Sequence, residues 1–174
     1  MTAKPHAFAK FALIGLTAAA TMALAGCGGD SGAKVGNGPK GVFISTQDCG
    51  GAPKFEIDHC ANAIRAAIQV HNNDAPTYDS ERVCEAKERS CERTLNDLYR
   101  PRLLGFYVEL PEEGVPNGEP TAKPLYAAVK GEKGFRAIDG KVYLEADLTL
   151  DFSRNAVAAY KAHSGGAPKG SFGG

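Results

Sequence analysis

The sequence predicts a small α+β domain, in which a disulfide-stapled helical hairpin is followed by a small antiparallel sheet and a flexible Gly-rich C-terminus. Three observations lead to this prediction. Apolar residues recur at helical spacing from about Phe55 to Asn72, four cysteines lie in or near that region, and the chain beyond Pro101 has the composition of β-strands. The elements are justified below in chain order.

The first elements are a short extended segment, 42–44, and a helix from about Phe55 to Asn72. One face of this helix is apolar, and polar residues lie away from it. The turn-forming run 72–76 ends the helix, because polar turn residues and a proline cannot continue the pattern. The residues on the apolar face are Ile57, Cys60, Ala61, Ile64, Ala67, Ile68 and His71.

A second helix is predicted from Asp79 or Ser80, either of which could cap it, to about Tyr99. Acidic and basic residues alternate along it, which is typical of a solvated surface stabilised by charge pairs three and four residues apart. A catalytic carboxylate cluster is the alternative interpretation of the same acidic residues. Those residues are Glu81, Glu85, Glu88 and Glu92.

Strand composition begins at Leu103 and continues to Leu110, and a polar loop, 111–124, separates it from a second strand at 125–129. A hairpin is predicted over 135–144, with Asp139 and Gly140 forming a two-residue turn. In that register one face carries four apolar side chains. They are Phe135, Ala137, Val142 and Leu144.

The last predicted strand is indicated by Leu148, Leu150 and Phe152, which alternate with polar residues. Ser153 could cap a short helix that runs toward His163. Residues 164–174 are Gly-rich and are expected to form a flexible tail.

The N-terminus has the features of a bacterial lipoprotein leader. Lys4 and Lys10 precede an apolar run, and the run ends in a lipobox formed by Leu24, Ala25, Gly26 and Cys27. An ordinary secretory signal or a membrane-spanning anchor is the alternative, but the apolar run is shorter than the roughly 20 residues that span a bilayer.

This leader predicts four regions and a location. Residues 1–26 are the signal peptide, 27–41 a lipidated flexible tether, 42–163 a single small α+β domain and 164–174 the tail. Acylation of Cys27 would anchor the protein to the membrane. Gly28 follows Cys27 where an aspartate would retain a lipoprotein in the inner membrane, so we expect the outer membrane, with the domain facing the periplasm.

Four cysteines remain after Cys27: Cys49, Cys60, Cys84 and Cys91. An even number in an exported chain predicts two disulfides, whereas a zinc site would require shorter gaps between ligands. If Cys84 and Cys91 lay in one unbroken helix, their Cα atoms would be about 10 Å apart. A disulfide needs roughly 4.4 to 6.8 Å. Either the helix is interrupted and the bridges are local, or it is continuous and a bridge such as Cys60 to Cys91 crosses the hairpin.

No motif typical of an enzyme, a cofactor site or a metal site is present, so neither catalysis nor a cofactor is expected. The 20 basic and 20 acidic residues balance and form no basic cluster, which argues against a nucleic-acid partner. His59 and His71, with nearby carboxylates, are the candidates for an alternative small-ligand or metal-binding function.

A set of residues along the mature chain matches, in order and spacing, a pattern shared by a known family. The matching positions are Cys27, Asp48, Cys49, Cys60, Ala75, Pro76, Tyr78, Cys84, Cys91, Tyr99, Pro101, Leu103, Gly105, Phe106, Pro124, Leu125 and Tyr126. Through them the chain resembles the YgiB-like family of uncharacterised bacterial lipoproteins. The resemblance implies no catalytic residues. In that family the second cysteine interval usually contains Phe and Gly, which implies the local bridges Cys49–Cys60 and Cys84–Cys91, although residues 85–90 here contain neither.

These observations predict a non-catalytic envelope lipoprotein that acts as a structural or interaction module, with an envelope protein or polymer as its partner. Aromatic residues commonly anchor interfaces, and four of them are candidates for a contact surface. The alternative is that they belong to the core. They are Tyr99, Phe106, Tyr107 and Tyr126.

Overall fold

A computed structural model of the chain describes residues 38–114, 118–129 and 133–164. All of them belong to one unit, which spans Val35–Gly174. The predicted signal peptide, Cys27 and the tail beyond residue 164 lie outside the described residues. Within the described ranges, no helix has the length and hydropathy needed to cross a membrane.

The chain folds as a mixed α+β structure, which confirms the predicted fold class. The helices are α1 (Thr46–Gly50), α2 (Ile57–Asp74), α3 (Glu81–Glu88) and α4 (Arg154–Ser164). The strands are β1 (Lys40–Phe43), β2 (Cys91–Arg93), β3 (Tyr99–Pro101), β4 (Gly105–Glu109), β5 (Thr121–Ala127), β6 (Phe135–Ala137), β7 (Val142–Tyr143) and β8 (Asp151–Phe152).

Six strands form the main sheet in the order β7-β6-β5-β4-β1-β8, and β2 and β3 form a separate antiparallel pair. The main sheet is not wholly antiparallel, because β8 runs parallel to β1, with Gly41 opposite Asp151. Strand β1 therefore begins within the segment 27–41 that the sequence predicted to be a tether. The carbonyl of Pro39 already accepts a hydrogen bond from the Leu110 N–H.

Helices cover the two faces of the main sheet with separate apolar clusters. On one face, α1 and α2 pack on Phe43, Phe106 and Val108, and the Cys49–Cys60 bridge lies inside this cluster. On the other face, α4 packs through Ala156, Ala159 and Tyr160. Its partners there include Val42, Leu125, Ala127, Phe135, Ala137 and Phe152.

Helix α2 confirms the helix predicted from apolar periodicity. Cys60, Ile64 and Ala67 are buried against the sheet, whereas Ile57 and Ile68 at the margin of the stripe are 48% and 40% exposed. The helix continues to Asp74, and the Ala75 N–H still bonds the His71 carbonyl.

The second predicted helix is much shorter than expected. Ser80 caps it by accepting a hydrogen bond from the Val83 N–H, but the helix ends at Glu88 instead of near Tyr99. Arg89 has a φ of 67°, a left-handed conformation that stops an α-helix. The chain then turns into β2, so charged residues predicted as one exposed helix are divided between a helix and a strand.

The hairpin of β6 and β7 is confirmed, but the predicted register is wrong by one residue. The loop has three residues rather than two, because the Ala137 N–H bonds the Lys141 carbonyl and Gly140 adopts a φ of 84°. Phe135 is therefore opposite Tyr143. A one-residue shift moves side chains to the other face of a strand, so Tyr143 replaces Val142 and Leu144 on the buried face.

Two further predictions differ in extent. Strand β5 begins at Thr121, earlier than predicted, because it pairs along its length with β4. The strand predicted from Leu148 is reduced to the two residues of β8, and Leu148 is 98% exposed. The Asp147 carboxylate accepts hydrogen bonds from both Thr149 N–H and Oγ1, which fixes a turn in place of a strand. Ser153 caps α4 as predicted.

Candidate functional site

Two disulfides connect the predicted cysteines in local pairs. Cys49 and Cys60 join α1 to α2 with a Cα separation of 6.0 Å, and Cys84 and Cys91 join α3 to β2 with a separation of 6.2 Å. These are the pairs that the family resemblance implied. The interruption of α3 at Arg89 is what brings the second pair within bonding distance.

The aromatic residues predicted as a contact surface lie mostly in the interior. Phe106, Tyr107 and Tyr126 are 5%, 5% and 1% exposed, because each points from the sheet toward a face that other elements cover. Only Tyr99, which pairs with Tyr78 through two backbone hydrogen bonds, remains partly exposed. The contact-surface interpretation is thus corrected to core for three of the four residues.

The three histidines of the domain are dispersed. His59, near the start of α2, is exposed, and its Nδ1 lies 3.9 Å from a Glu56 carboxylate oxygen. His71, near the end of the same helix, is buried. His163 has Nδ1 3.5 Å from the Ser90 hydroxyl, and burial, followed by the charge of Arg102, lowers its pKa. In the described part of the chain, no three His, Cys, Asp or Glu side chains are grouped to hold a metal ion.

His71 is the centre of a polar cluster between the helices and the sheet. Its Nδ1 lies 3.2 Å from the Tyr126 hydroxyl, and its Nε2 lies 3.4 Å from a Glu92 carboxylate oxygen. Burial lowers the pKa of His71, and the charge of Arg100 acts in the same direction against the opposing effect of Glu92. The imidazole is therefore neutral at neutral pH.

Glu92 is shared between His71 and Arg100. Arg100 lies opposite Glu92 on the β2–β3 pair, and its Nε donates a hydrogen bond of 2.8 Å to the carboxylate. A second nitrogen of the same guanidinium donates to Asn72 Oδ1 at 3.0 Å. Arg100 thereby connects the small sheet to the end of α2.

Glu88 forms the second half of the cluster and is only 7% exposed. Tyr78 donates a 2.6 Å hydrogen bond to one carboxylate oxygen, and Arg136 of β6 donates to the other. Burial and the Glu88 carboxylate raise the pKa of Tyr78 to about 12. Arg136 is also the register partner of Tyr126, so the two halves meet on the sheet.

We call these seven residues the polar network. Two carboxylates and two guanidiniums balance its charge, and its members come from α2, the segment between α2 and α3, α3, the small sheet and the main sheet. The sequence predicted His71 on the buried stripe but assigned Glu88 and Glu92 to a solvated face. The one available signal was the position of Glu88 four residues after Cys84, on the same helix face. The network consists of His71, Tyr78, Glu88, Glu92, Arg100, Tyr126 and Arg136.

The network holds several elements of the fold together. His71 is 2% exposed, and both of its ring nitrogens have partners inside the protein. Tyr126 is also buried, and its pKa is raised to about 12, mainly by burial.

A cleft of about 750 Å³ lies between α1 and the start of α4. The Asp48 carboxylate, on its wall, accepts hydrogen bonds from the Ile44 N–H at 3.0 Å, from the Ser153 hydroxyl and from Asn155 Nδ2 at 2.8 Å. Through these contacts Asp48 joins α1 to the start of α4. Phe43, Pro53 and Asp151 also line the cleft.

A stacked tyrosine pair lies on the α4 face of the sheet, with the rings of Tyr107 and Tyr143 4.4 Å apart. The Tyr107 hydroxyl donates to Glu109 at 2.9 Å, whereas the buried Tyr143 hydroxyl has no hydrogen-bond partner among the described residues. Burial raises the pKa of Tyr143 to about 12. Neither phenol is ionised at neutral pH.

Comparison with known proteins places the chain in a family but not in a functional class. No curated protein and no solved structure gives a significant match. A family model described as "Protein of unknown function (DUF1190)" matches residues 39–173, which include every helix and strand described above. The chain therefore belongs to the DUF1190 family of proteins of unknown function.

Proposed function

We propose that this chain is a lipid-anchored protein of the bacterial cell envelope. Cys27 would carry the acyl chains, residues 28–37 would separate the domain from the membrane, and the domain would act by binding an envelope protein or polymer. Outer-membrane sorting is favoured by Gly28 after the lipidated cysteine. Two acyl chains, at about 0.8 kcal/mol per buried methylene, are sufficient for a stable anchor.

The observation that carries this proposal is the pair of disulfides in a chain whose leader ends in a lipobox. Cys49, Cys60 and Cys84 are fully buried and Cys91 is 6% exposed. Disulfides of this kind form and persist in oxidising compartments such as the periplasm. The disulfides and the lipobox are unrelated features, and both support a location of the domain on the periplasmic side of the membrane.

A binding function is favoured over catalysis by how the ionisable groups are used. The carboxylates of Glu88, Glu92 and Asp48 each bond to side chains within the fold. The histidines are too dispersed to act together. The small-ligand or metal alternative, based on His59 and His71, has no comparable support, because α2 places these residues about 18 Å apart.

Lipidation is tested by metabolic labelling with an alkyne analogue of palmitate, followed by membrane fractionation. The wild-type chain should carry the label and sediment with membranes, and Cys27→Ser should lose both properties. The matched control Cys91→Ser removes a different cysteine and should keep the label. Labelling that survives in Cys27→Ser, or a wild-type chain that stays in the soluble fraction, would contradict the proposal.

The binding function is tested by cross-linking in intact cells and purification from detergent-solubilised membranes. A specific envelope component should be captured by the wild-type chain and lost when the domain is unfolded by removal of both disulfides. Stoichiometric metal in the purified protein, together with four free thiols, would favour the metal-binding alternative instead.

A further inference from the structure

The parallel strands of the main sheet, β1 and β8, lead into helices that lie on opposite faces of that sheet. Strand β1 ends at Phe43, and Ser45 caps α1, which packs on the same face as α2. Strand β8 ends at Phe152, and Ser153 caps α4, which packs on the other face. Adjacent parallel strands whose helices diverge in this way leave a crevice at their carboxyl ends, and open α/β sheets bind ligands in such crevices.

The cleft of about 750 Å³ lies at this point of the sheet. It is lined by the ends of both strands, by the starts of both helices and by residues 51–53, which follow α1. Its volume is within the range of roughly 300 to 1,000 Å³ that is typical of small-molecule sites. The position and the size of the cleft both indicate a binding site.

Asp48 holds the two walls of the cleft together. It belongs to α1, and its carboxylate accepts hydrogen bonds from Ser153 and Asn155 at the start of α4. The Ile44 N–H, at the end of β1, is its third donor at 3.0 Å. A site whose walls are fixed before binding loses little conformational freedom when a ligand enters.

The rim of the cleft carries polar side chains that are not used by the fold. Gln47, Asp151 and Arg154 are exposed, and within the ranges that the structure describes their side chains make no hydrogen bond or ion pair. They supply an amide, a carboxylate and a guanidinium, which together can donate and accept hydrogen bonds. Ala52 and Pro53 add apolar surface beside them.

The charges around the cleft nearly cancel. Asp48 and Asp151 are acidic, Arg154 is basic, and the start of α4 adds a partial positive charge. An anion would meet the two carboxylates, and a cation would meet the guanidinium and the positive end of the helix. The cleft therefore favours a neutral polar molecule.

An extended peptide fits this edge of the sheet less well. Strand β8 is the edge strand, but it has only two residues. Because the Ser153 N–H bonds the Val42 carbonyl, the alternation of the strand leaves Phe152 as the residue whose N–H and C=O point away from β1. The addition of a peptide strand requires a longer row of such groups.

We propose that the cleft between α1 and the start of α4 binds a neutral saccharide, with Gln47, Asp151 and Arg154 as its hydrogen-bonding residues. Sugar hydroxyls both donate and accept hydrogen bonds, and the C–H groups of a sugar ring pack on apolar side chains. Glycan polymers present such sugars in the cell envelope. The inference rests on the proposed function, because it specifies which class of envelope component the domain binds.

The first test is a titration of the full-length chain with the trisaccharide of N-acetylglucosamine, followed by ¹H–¹⁵N chemical shifts. The detergent must lack a sugar head group, because such a head group would compete for the site. The amide shifts of residues 45–53 and 151–155 should change saturably. No saturable change, or changes confined to another part of the domain, would overturn the proposal.

The second test compares two pairs of matched variants. Gln47→Ala and Arg154→Ala should each raise the Kd for the trisaccharide about tenfold or more, because each removes a hydrogen-bonding group. Gln69→Ala on α2 and Arg82→Ala on α3 remove the same side chains at exposed positions away from the cleft, and they should leave the Kd within about twofold. Equal affinity in the cleft variants and their controls would assign the sugar to another surface.

Other ligand classes are tested with inorganic phosphate and with a cell-wall stem peptide that carries no sugar. Neither should change the shifts of the cleft residues. If one of them binds there and the trisaccharide does not, the cleft is an anion or peptide site and the proposal is wrong.

Cross-linking in cells separates this inference from the proposed function. The variant Gln47→Ala/Asp151→Ala/Arg154→Ala should lose the envelope component that the wild-type chain captures. If the variant still captures it, the cleft is not the binding site, although the proposed function stands. If the wild-type chain captures no envelope component, the proposed function fails and this inference fails with it.

Discussion

Glu88 and Arg136 form an ion pair that fastens the last residue of α3 to β6. The Glu88 side chain is 9% exposed and the Arg136 side chain 19%, so neither charge is well solvated. Tyr78 completes the hydrogen bonding of the carboxylate, but Arg136 Nε has no hydrogen-bond partner among the described residues. Because each buried charge needs the other as its partner, the ion pair fixes the positions of the two side chains relative to each other.

Removal of one partner of the Glu88–Arg136 pair should therefore destabilise the fold. Arg136→Ala leaves the Glu88 carboxylate buried without a counter-charge, and we expect the free energy of unfolding to fall by about 3 kcal/mol. The double variant Glu88→Leu/Arg136→Met should recover a large part of this loss. Urea denaturation followed by circular dichroism measures both changes.

The control for this cycle is an exposed pair of the same chemistry. Arg93 and Asp97 lie 2.9 Å apart, but their side chains are 63% and 77% exposed. Arg93→Ala should therefore cost less than about 1 kcal/mol. If Arg93→Ala and Arg136→Ala lowered the free energy of unfolding by the same amount, burial of the Glu88–Arg136 pair would not explain its contribution to stability.

His71 predicts how stability depends on pH. Its pKa is below 6.5 in the folded protein, so the unfolded chain binds more protons as the pH falls below 6.5. The stability contributed by neutral His71 is complete above pH 6.5 and is lost as the pH falls toward the folded pKa. His163 acts in the same direction.

This pH dependence is measured as the free energy of unfolding between pH 8 and pH 5.5. His71→Gln should flatten the profile, because glutamine does not titrate. His59→Gln, at an exposed position in the same helix, should keep the wild-type profile. A steep profile that persists in His71→Gln/His163→Gln would assign the effect to other groups.

The Tyr143 hydroxyl has no hydrogen-bond partner in the described part of the chain, which predicts a stabilising substitution. A buried hydroxyl without a partner loses its hydration and gains nothing in return, so Tyr143→Phe should raise the free energy of unfolding by about 1 kcal/mol. Tyr107→Phe is the matched control, since it removes a hydrogen bond to Glu109 and should lower stability by about 2 kcal/mol. Thermal unfolding distinguishes the two signs.

Asp48 predicts a coupling between α1 and α4. Asp48→Ala removes the acceptor for Ile44, Ser153 and Asn155, and we expect a loss of about 2 kcal/mol with greater hydrogen exchange at the start of α4. Asp151→Ala, an exposed change at the neighbouring strand, should have little effect. Unchanged exchange in α4 after Asp48→Ala would contradict the coupling.

The sequence was most informative where local pattern and tertiary structure agree. The apolar stripe of α2 identifies a helix and its buried face, because 3.6-residue periodicity and packing on the sheet impose the same constraint. Ser80 and Ser153 likewise mark helix starts, since a capping hydroxyl acts on the backbone three residues away. These features depend on neighbours in the chain.

The features that the sequence did not predict arise from constraints that periodicity does not show. Helix α3 ends at Glu88 despite the helix preference of the residues that follow, and a third loop residue shifts the hairpin register. The polar network needs Glu88 to meet Arg136, and Glu92 to meet His71 and Arg100, from separate segments of the chain. A single sequence carries no record of which charged residues will pair across such distances.

The pairing of β1 with β8 has a consequence for the biosynthesis of the domain. Gly41 in β1 lies opposite Asp151 in β8, so the edge of the main sheet is completed only by residues that are synthesised long after β1. Contacts between such remote residues form slowly. A nascent chain still attached to the ribosome at residue 150 has no β8 and no α4, and one face of its sheet is uncovered. The native fold is therefore completed only after translation has passed the end of α4.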